Sequence, residues 1–154
     1  MEKVRGFELV SKYVTEQVQM PKRGTKKSAC YDVFNNTGAD IVIEAGAITG
    51  AITTKVKSYM LEDEVLKAYV RSGHGFKYSV RLANSTGIID SDYYNNSNNE
   101  GEIFIKLHNQ GDKQLVIKQG EAMAQVMFQK YLLADGDSFD VGDDRAGGFG
   151  STSK

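Results

Sequence analysis

The chain has 154 residues, with 19 Lys and Arg against 20 Asp and Glu, for a formal net charge of −1. That length suits one domain with a core of its own, and the near-neutral balance excludes a global field for gripping nucleic acid or an anionic membrane. A single cysteine, Cys30, excludes an intrachain disulfide and a multi-cysteine zinc site.

The N-terminus, Met-Glu-Lys-Val-Arg-Gly, lacks the apolar run of a secretory signal. Nothing approaches the ~18 apolar residues of a membrane span. The expected location is the cytoplasm, with the thiol reduced. Residues 22–27 read as a basic turn, and Ile41 and Ile43 flank Val42 in a short strand. Leu66, Ala68 and Val70 alternate with Val65, Lys67 and Tyr69, and the stretch Leu61–Tyr69 could be read as one amphipathic turn or two. Their β-branched and aromatic neighbours favour a strand over a helical turn. Arg71-Ser72-Gly73 follows as a turn, with His74 in a surface loop. Asn84 to Asp90 reads as a hairpin closed near Gly87. Residues 95–99, Asn-Asn-Ser-Asn-Asn, have strong turn preference and nothing to bury. Ile103, Ile105 and Leu107 alternate with Phe104, Lys106 and His108, which places His108 in solvent or at a subunit contact. Leu115 and Ile117 flank Val116. Met60, Met123 and Met127 read as core or interface filler. Helical periodicity is weak throughout. Short strands punctuated by Gly, Asn and Asp, with 16 Gly and one Pro, predict an all-β barrel or sandwich. Residues 142–154 are too rich in Gly to hold structure alone, and read as an arm that a ligand or partner orders.

Three segments carry chemistry. Arg71-Ser72-Gly73 is either a plain turn or a phosphate nest, in which guanidinium, hydroxyl and backbone N–H converge on an anion. Asp90 ends an apolar pair of Ile, where a carboxylate is either a turn cap or a general base. In the tail, Arg145 precedes Gly-Gly-Phe-Gly-Ser-Thr. Read as more than a loose end, it offers charge for a phosphate and a ring for a base.

In order, these segments resemble the five motifs of the trimeric dUTPase (dUTP diphosphatase) family, from about Pro21 to Thr152. Ser28-Ala29-Cys30-Tyr31-Asp32-Val33 is similar to the first motif and Val70-Arg71-Ser72-Gly73 to the second. Asn84 through Tyr93 resembles the third, with Gly87, Ile89, Asp90 and Asp92 in register. Gly120 to Gln125 is similar to the fourth, and Arg145 to Thr152 to the fifth. The chain departs from the family at Val70 (usually Pro), at Cys30 (usually Gly, so a permissive backbone is expected there) and at Ala122 (often basic). The link between Tyr93 and Gly101-Glu102 is longer than usual.

The resemblance implies a distorted jelly-roll β-barrel assembling as a homotrimer. Residues 1–141 would form the catalytic domain, and residues 142–154 an arm closing over a neighbouring subunit's site. The implied reaction converts dUTP and water to dUMP and pyrophosphate, limiting uracil in DNA and supplying dUMP for dTMP synthesis. Asp90 would be the general base. Arg71, Ser72, Gly73 and Gln125 would hold the phosphate chain. Asn84, Gly87 and Ile89 would frame the uracil, and Tyr93 would lie beneath the deoxyribose. Phe149 would lie over the uracil, Gly150 would be a further substrate-binding position, and Arg145, Ser151 and Thr152 would bind the γ-phosphate. Mg2+ would be held mainly by the triphosphate, with Asp32 helping through water. The related dCTP deaminase places a catalytic Glu where this chain has Lys106, which cannot replace it. A dUTPase-like trimer with a regulatory protein-binding role is the remaining alternative.

Overall fold

Residues 2–137, 142, 144, 145, 147 and 148 are described by the structure, a computed structural model of the chain. In chain order its strands are β1 (Gly6–Leu9), β2 (Lys22–Arg23), β3 (Tyr31–Phe34), β4 (Ile41–Ile43), β5 (Ile52–Thr53), β6 (Val56–Tyr59), β7 (Glu64–Tyr69), β8 (Val80–Leu82), β9 (Gly87–Asp90), β10 (Phe104–Ile105), β11 (Leu107–Asn109), β12 (Leu115–Ile117) and β13 (Ala122–Lys130). The largest sheet runs β2-β3-β13-β7-β9, and the other strands pair as β1-β6, β10-β5, β11-β8 and β12-β4, all antiparallel. The period-two alternation explains the burial. Leu66, Ile105, Leu107, Ile117, Met123, Ala124 and Val126 lie in one core, while Val42, Lys106 and Val116 face outward. His108 is half-buried on the outer side of β11, opposite Arg81.

Several local expectations change. Arg71-Ser72-Gly73 does not end in a loop: Ser72–Tyr78 is the α-helix α1. Two glycines lower its propensity and none of its residues is fully buried, so it leaves no apolar stripe to read. Ser79 closes it in the left-handed region (φ 53°), donating its N–H to the Gly75 and His74 carbonyls. The hairpin turn comes before Gly87, with Leu82 bridged to Ser85, so Gly87 is already the first residue of β9. Lys22 and Arg23 pair with β3 before the basic turn begins. Cys30 is not among the residues of positive φ, so its side chain needs no special backbone.

Residues 95–99 do bury something. Asn96 is buried, accepting from the backbone N–H groups of Asn98 and Asn99 while donating to the Tyr93 carbonyl at 2.8 Å. Glu100 pins the segment to the body of the protein. Its carboxylate accepts from the Ser11 backbone N–H and hydroxyl and from the Lys57 amino group. The Lys57 hydrogen bond, then Ser11, hold the Glu100 carboxyl down to about 2, against roughly 4.3 in an unfolded chain. A carboxyl lowered on folding contributes stability above its unfolded value and loses it as pH falls toward the folded one. The Tm gap between wild type and Glu100→Gln is therefore expected to be widest near neutrality and to close as pH falls from about 4.3 to about 2. Thermal unfolding by circular dichroism across that range checks it; a constant gap excludes the ion pair as its source.

Candidate active site

The β7–β9 register builds a pocket of about 610 Å³. Gly87 pairs with Ala68, Ile89 with Leu66, and Asp90 with Val65. A Cβ at Gly87 would stand 2.9 Å from the Ala68 Cβ, so glycine is what lets the two strands close here. Asn84, Gly87, Ile88, Ile89, Asp90, Tyr93, Phe104, Lys106 and Arg145 are among the lining residues.

Tyr93 is buried, and its hydroxyl donates to the Glu102 carbonyl and accepts from the Asn99 side-chain amide, both at 2.7 Å. Burial raises its phenol, partly offset by the Asn99 hydrogen bond. The Arg145 guanidinium lies 5.3 Å from the centre of the Tyr93 ring and reaches Asp92 at 2.9 Å and Asp90 at 3.2 Å. Glu102, fully buried, accepts from the hydroxyls of Thr53 and Tyr13 and faces the Lys12 amino group at 2.8 Å.

A second cluster lies elsewhere on the same sheet. Asp32, Gln125 and Tyr69 stand abreast on β3, β13 and β7. Arg71, just past the end of β7, reaches the Asp32 carboxylate at 3.3 Å, and the Gln125 amide donates to the Val70 carbonyl at 3.0 Å. Ser72 and Gly73 open α1 beside them, and the Nδ1 of half-buried His74 is covered without a hydrogen-bond partner among the described residues. Burial, then the Arg71 charge, lowers the His74 imidazole.

The two clusters are far apart. Asp90 is level with Val65, and Arg71 lies six residues further along the same run, about 20 Å at roughly 3.3 Å per residue. One chain therefore unites Asn84, Gly87, Ile89, Asp90, Tyr93 and Arg145, and separately Asp32, Arg71, Ser72, Gly73 and Gln125. Phe149, Gly150, Ser151 and Thr152 lie outside the described residues. Sequence reasoning gave no role to Asp92, whose two-residue offset from Asp90 was the available signal. It also missed Asn99, which nothing in an Asn-rich run singles out.

A family profile for dUTPase matches residues 16–153. The chain belongs to the dUTPase family. A deoxyuridine 5'-triphosphate nucleotidohydrolase of Lactococcus lactis subsp. lactis is 44% identical over 150 residues, covering 97% of this chain and 98% of the relative. The dUTPase from Streptococcus mutans, in its crystal structure, is 44% identical with a TM-score of 0.73, covering 85% of this chain and 99% of that one. The match makes the architecture here the dUTPase jelly roll. A dUTPase from phage phi11 of S. aureus shares the fold at 21% identity and TM-score 0.67, covering 86% of this chain and 94% of that one. A mutant of that phage protein coordinates a structural Mg(II) ion.

In this dUTPase-family chain, Gly87→Ala forces a methyl against Ala68 between paired strands. It is expected to cost about 1–3 kcal/mol of stability and to weaken binding of a non-hydrolysable dUTP analogue. Thermal unfolding and calorimetric titration check both; unchanged affinity would mean that the β7–β9 closure does not shape the nucleotide wall.

Proposed function

We propose that this chain hydrolyses dUTP to dUMP and pyrophosphate, as a hydrolase acting on an acid anhydride. The observation that carries the reading is a nucleotide-sized pocket whose mouth holds Asp90, in a chain of the dUTPase family. The pocket wall from Asn84 to Ile89 reads the uracil edge through its backbone. Tyr93, fixed by Glu102 and Asn99, backs the deoxyribose and leaves no room for a 2′-hydroxyl. Asp90 orients and deprotonates the water that attacks the α-phosphorus, breaking the bond to the bridging oxygen and releasing pyrophosphate. Arg71, Ser72, Gly73 and Gln125 hold the phosphate chain, and positioning and charge stabilisation carry most of such a reaction. Phe149 lies over the uracil, Gly150 is a further substrate-binding position, and Ser151 and Thr152 join Arg145 on the γ-phosphate.

A site assembled across a homotrimer fits the 20 Å separation, since Asp90 of one protomer then meets the Arg71 cluster of a neighbour. Supporting it, each cluster has an exposed apolar side chain near it in sequence, Ile88 two residues before Asp90 and Phe76 on α1 five residues after Arg71. The arm, residues 142–154, would then close over a site to which a neighbour contributes, and the barrel, residues 1–141, would form the catalytic body. Among the described residues no three His, Cys, Asp or Glu side chains converge. The lone, partly exposed Asp32 carboxylate suits a Mg2+ held mainly by phosphate oxygens and waters. When bound, that ion neutralises triphosphate charge. No helix among the described residues is long and apolar enough to cross a membrane, which is compatible with the cytoplasmic location expected for a nucleotide enzyme.

Pyrophosphate release across dUTP, dCTP, dTTP and UTP with Mg2+ tests the reading, and only dUTP should turn over well. Asp90→Asn is expected to keep nucleotide binding and to lose roughly 100- to 10,000-fold in turnover; retention of a tenth of the rate excludes Asp90 as the base. For the assembly, Asp90→Asn and Arg71→Ala are each expected to be inactive. When refolded together they should regain activity, with about a quarter of sites intact by random assortment. No recovery in mixed trimers would place both groups on one chain's site.

A further inference from the structure

We propose that the Asn-rich insert is the seat of the C-terminal arm, with Asn98 and Asn99 as positioning residues that receive Gly148. Gly148 is buried, although Gly142 and Asp144 just before it are exposed. The groups it packs against belong to the insert. A Cβ placed on Gly148 would meet the Asn98 side-chain nitrogen at 3.0 Å, and the nitrogen and carbonyl carbon of the Asn99 amide at 3.1 and 3.2 Å. That approach leaves no room for a methyl unless an amide yields.

Asn99 has little freedom to yield. Its side chain donates to the Tyr93 hydroxyl at 2.7 Å, and its Oδ1 accepts from the Asn96 amide at 2.8 Å and the Gly101 N–H at 3.1 Å. The insert is anchored in turn by Glu100 on Ser11 and Lys57, and by the Tyr94 hydroxyl on Glu8. The same amide therefore supports Tyr93 on one side and the arm on the other. Three residues upstream of the seat, Arg145 lies over the Tyr93 ring and donates to the Gly147 carbonyl at 3.2 Å. Seating Gly148 thus delivers Arg145 to the pocket mouth. The seat is made by insert and arm alone, so it serves an arm from the same chain or from a neighbour. An arm this rich in glycine loses much backbone freedom on ordering, and a preformed seat lowers that cost before the nucleotide arrives.

The kinetic part of the inference rests on the reading of the protein as a dUTP hydrolase; the seat itself does not. The test is hydrogen exchange of the peptide covering residues 142–148 in the ligand-free full chain, with steady-state dUTP hydrolysis alongside. The variants are Asn98→Ala, which removes one wall, and Gly148→Ala, which collides with the fixed Asn99. Exchange at 142–148 is expected to quicken about tenfold in each, with protection of β7 and β13 unchanged. Turnover should fall several-fold while KM for dUTP stays within about twofold, because the arm acts on the closed state. Unchanged exchange at 142–148 in Gly148→Ala overturns the seat, as does an Asn98→Ala loss confined to KM. A wild-type chain that releases no pyrophosphate from dUTP sinks the hydrolase reading instead, and the exchange data still decide the seat.

Discussion

The antiparallel register of β7 governs the chemistry of this molecule. On one side β9 sets Asp90 level with Val65; on the other β13 sets Gln125 level with Tyr69. Strand geometry then fixes the separation between the carboxylate and the Arg71 turn, because a residue cannot slip by one without sending every side chain to the opposite face. The buried set Leu66, Ala68 and Val126 locks that register. A single β-sheet thus holds two polar clusters that the chain cannot fold onto each other. The sheet that makes the core stable also keeps the Asp90 carboxylate away from the Arg71 guanidinium, which is why the proposed reaction calls for a neighbouring chain.

A second constraint acts at the pocket floor. Tyr93 and Glu102 are buried polar residues, and a buried polar group left unpaired costs about 1–3 kcal/mol. Here the Tyr93 hydroxyl and Glu102 Oε1 are hydrogen-bonded, and Glu102 Oε2 faces the Lys12 amino group as an ion pair. The Tyr93 hydroxyl sits between the Glu102 carbonyl and the Asn99 amide. The Glu102 carboxylate takes Thr53, Tyr13 and Lys12. The network links Lys12 and Tyr13 near the N-terminus, the insert and the pocket wall. Its cost in buried polarity is offset by rigidity at the one aromatic ring that faces the sugar position in the proposed reaction.

Much of this was legible in the sequence, for identifiable reasons. Alternation exposes a strand when one face is buried and the other is not, so Leu66 and Ala68 in β7, Ile105 and Leu107, and Leu115 and Ile117 announce themselves. The helix α1 gives no such signal: seven residues, two of them glycine among the first four, with no fully buried side chain. It is held by its ends and by packing beside β8, which are tertiary facts. Motif order nominated the candidate site residues, but their division into two clusters was not readable from it. Nothing in a linear string says that Arg71 and Asp90, nineteen positions apart, end at opposite ends of one strand; pairing register decides that. Asn96 and Asn99 illustrate the same limit. Their turn preference is readable, whereas their burial depends on a tyrosine that happens to lie beneath them.

Arg145 sits in a contact that a stronger anion can displace. Its partners Asp90 and Asp92 are more than half exposed, while its own side chain is largely covered. Exposed carboxylates gain little from such pairs, typically about 0–1 kcal/mol each, so the contact is easily exchanged. On the proposed reaction a triphosphate offers the same guanidinium several oxygens of higher charge, in geometry suited to its fork. On the same reading, moving Arg145 from Asp90 to phosphate frees the Asp90 carboxylate to face the attacking water. Tyr93, which lies under the guanidinium here, would on that reading be left to back the sugar once Arg145 has turned to phosphate.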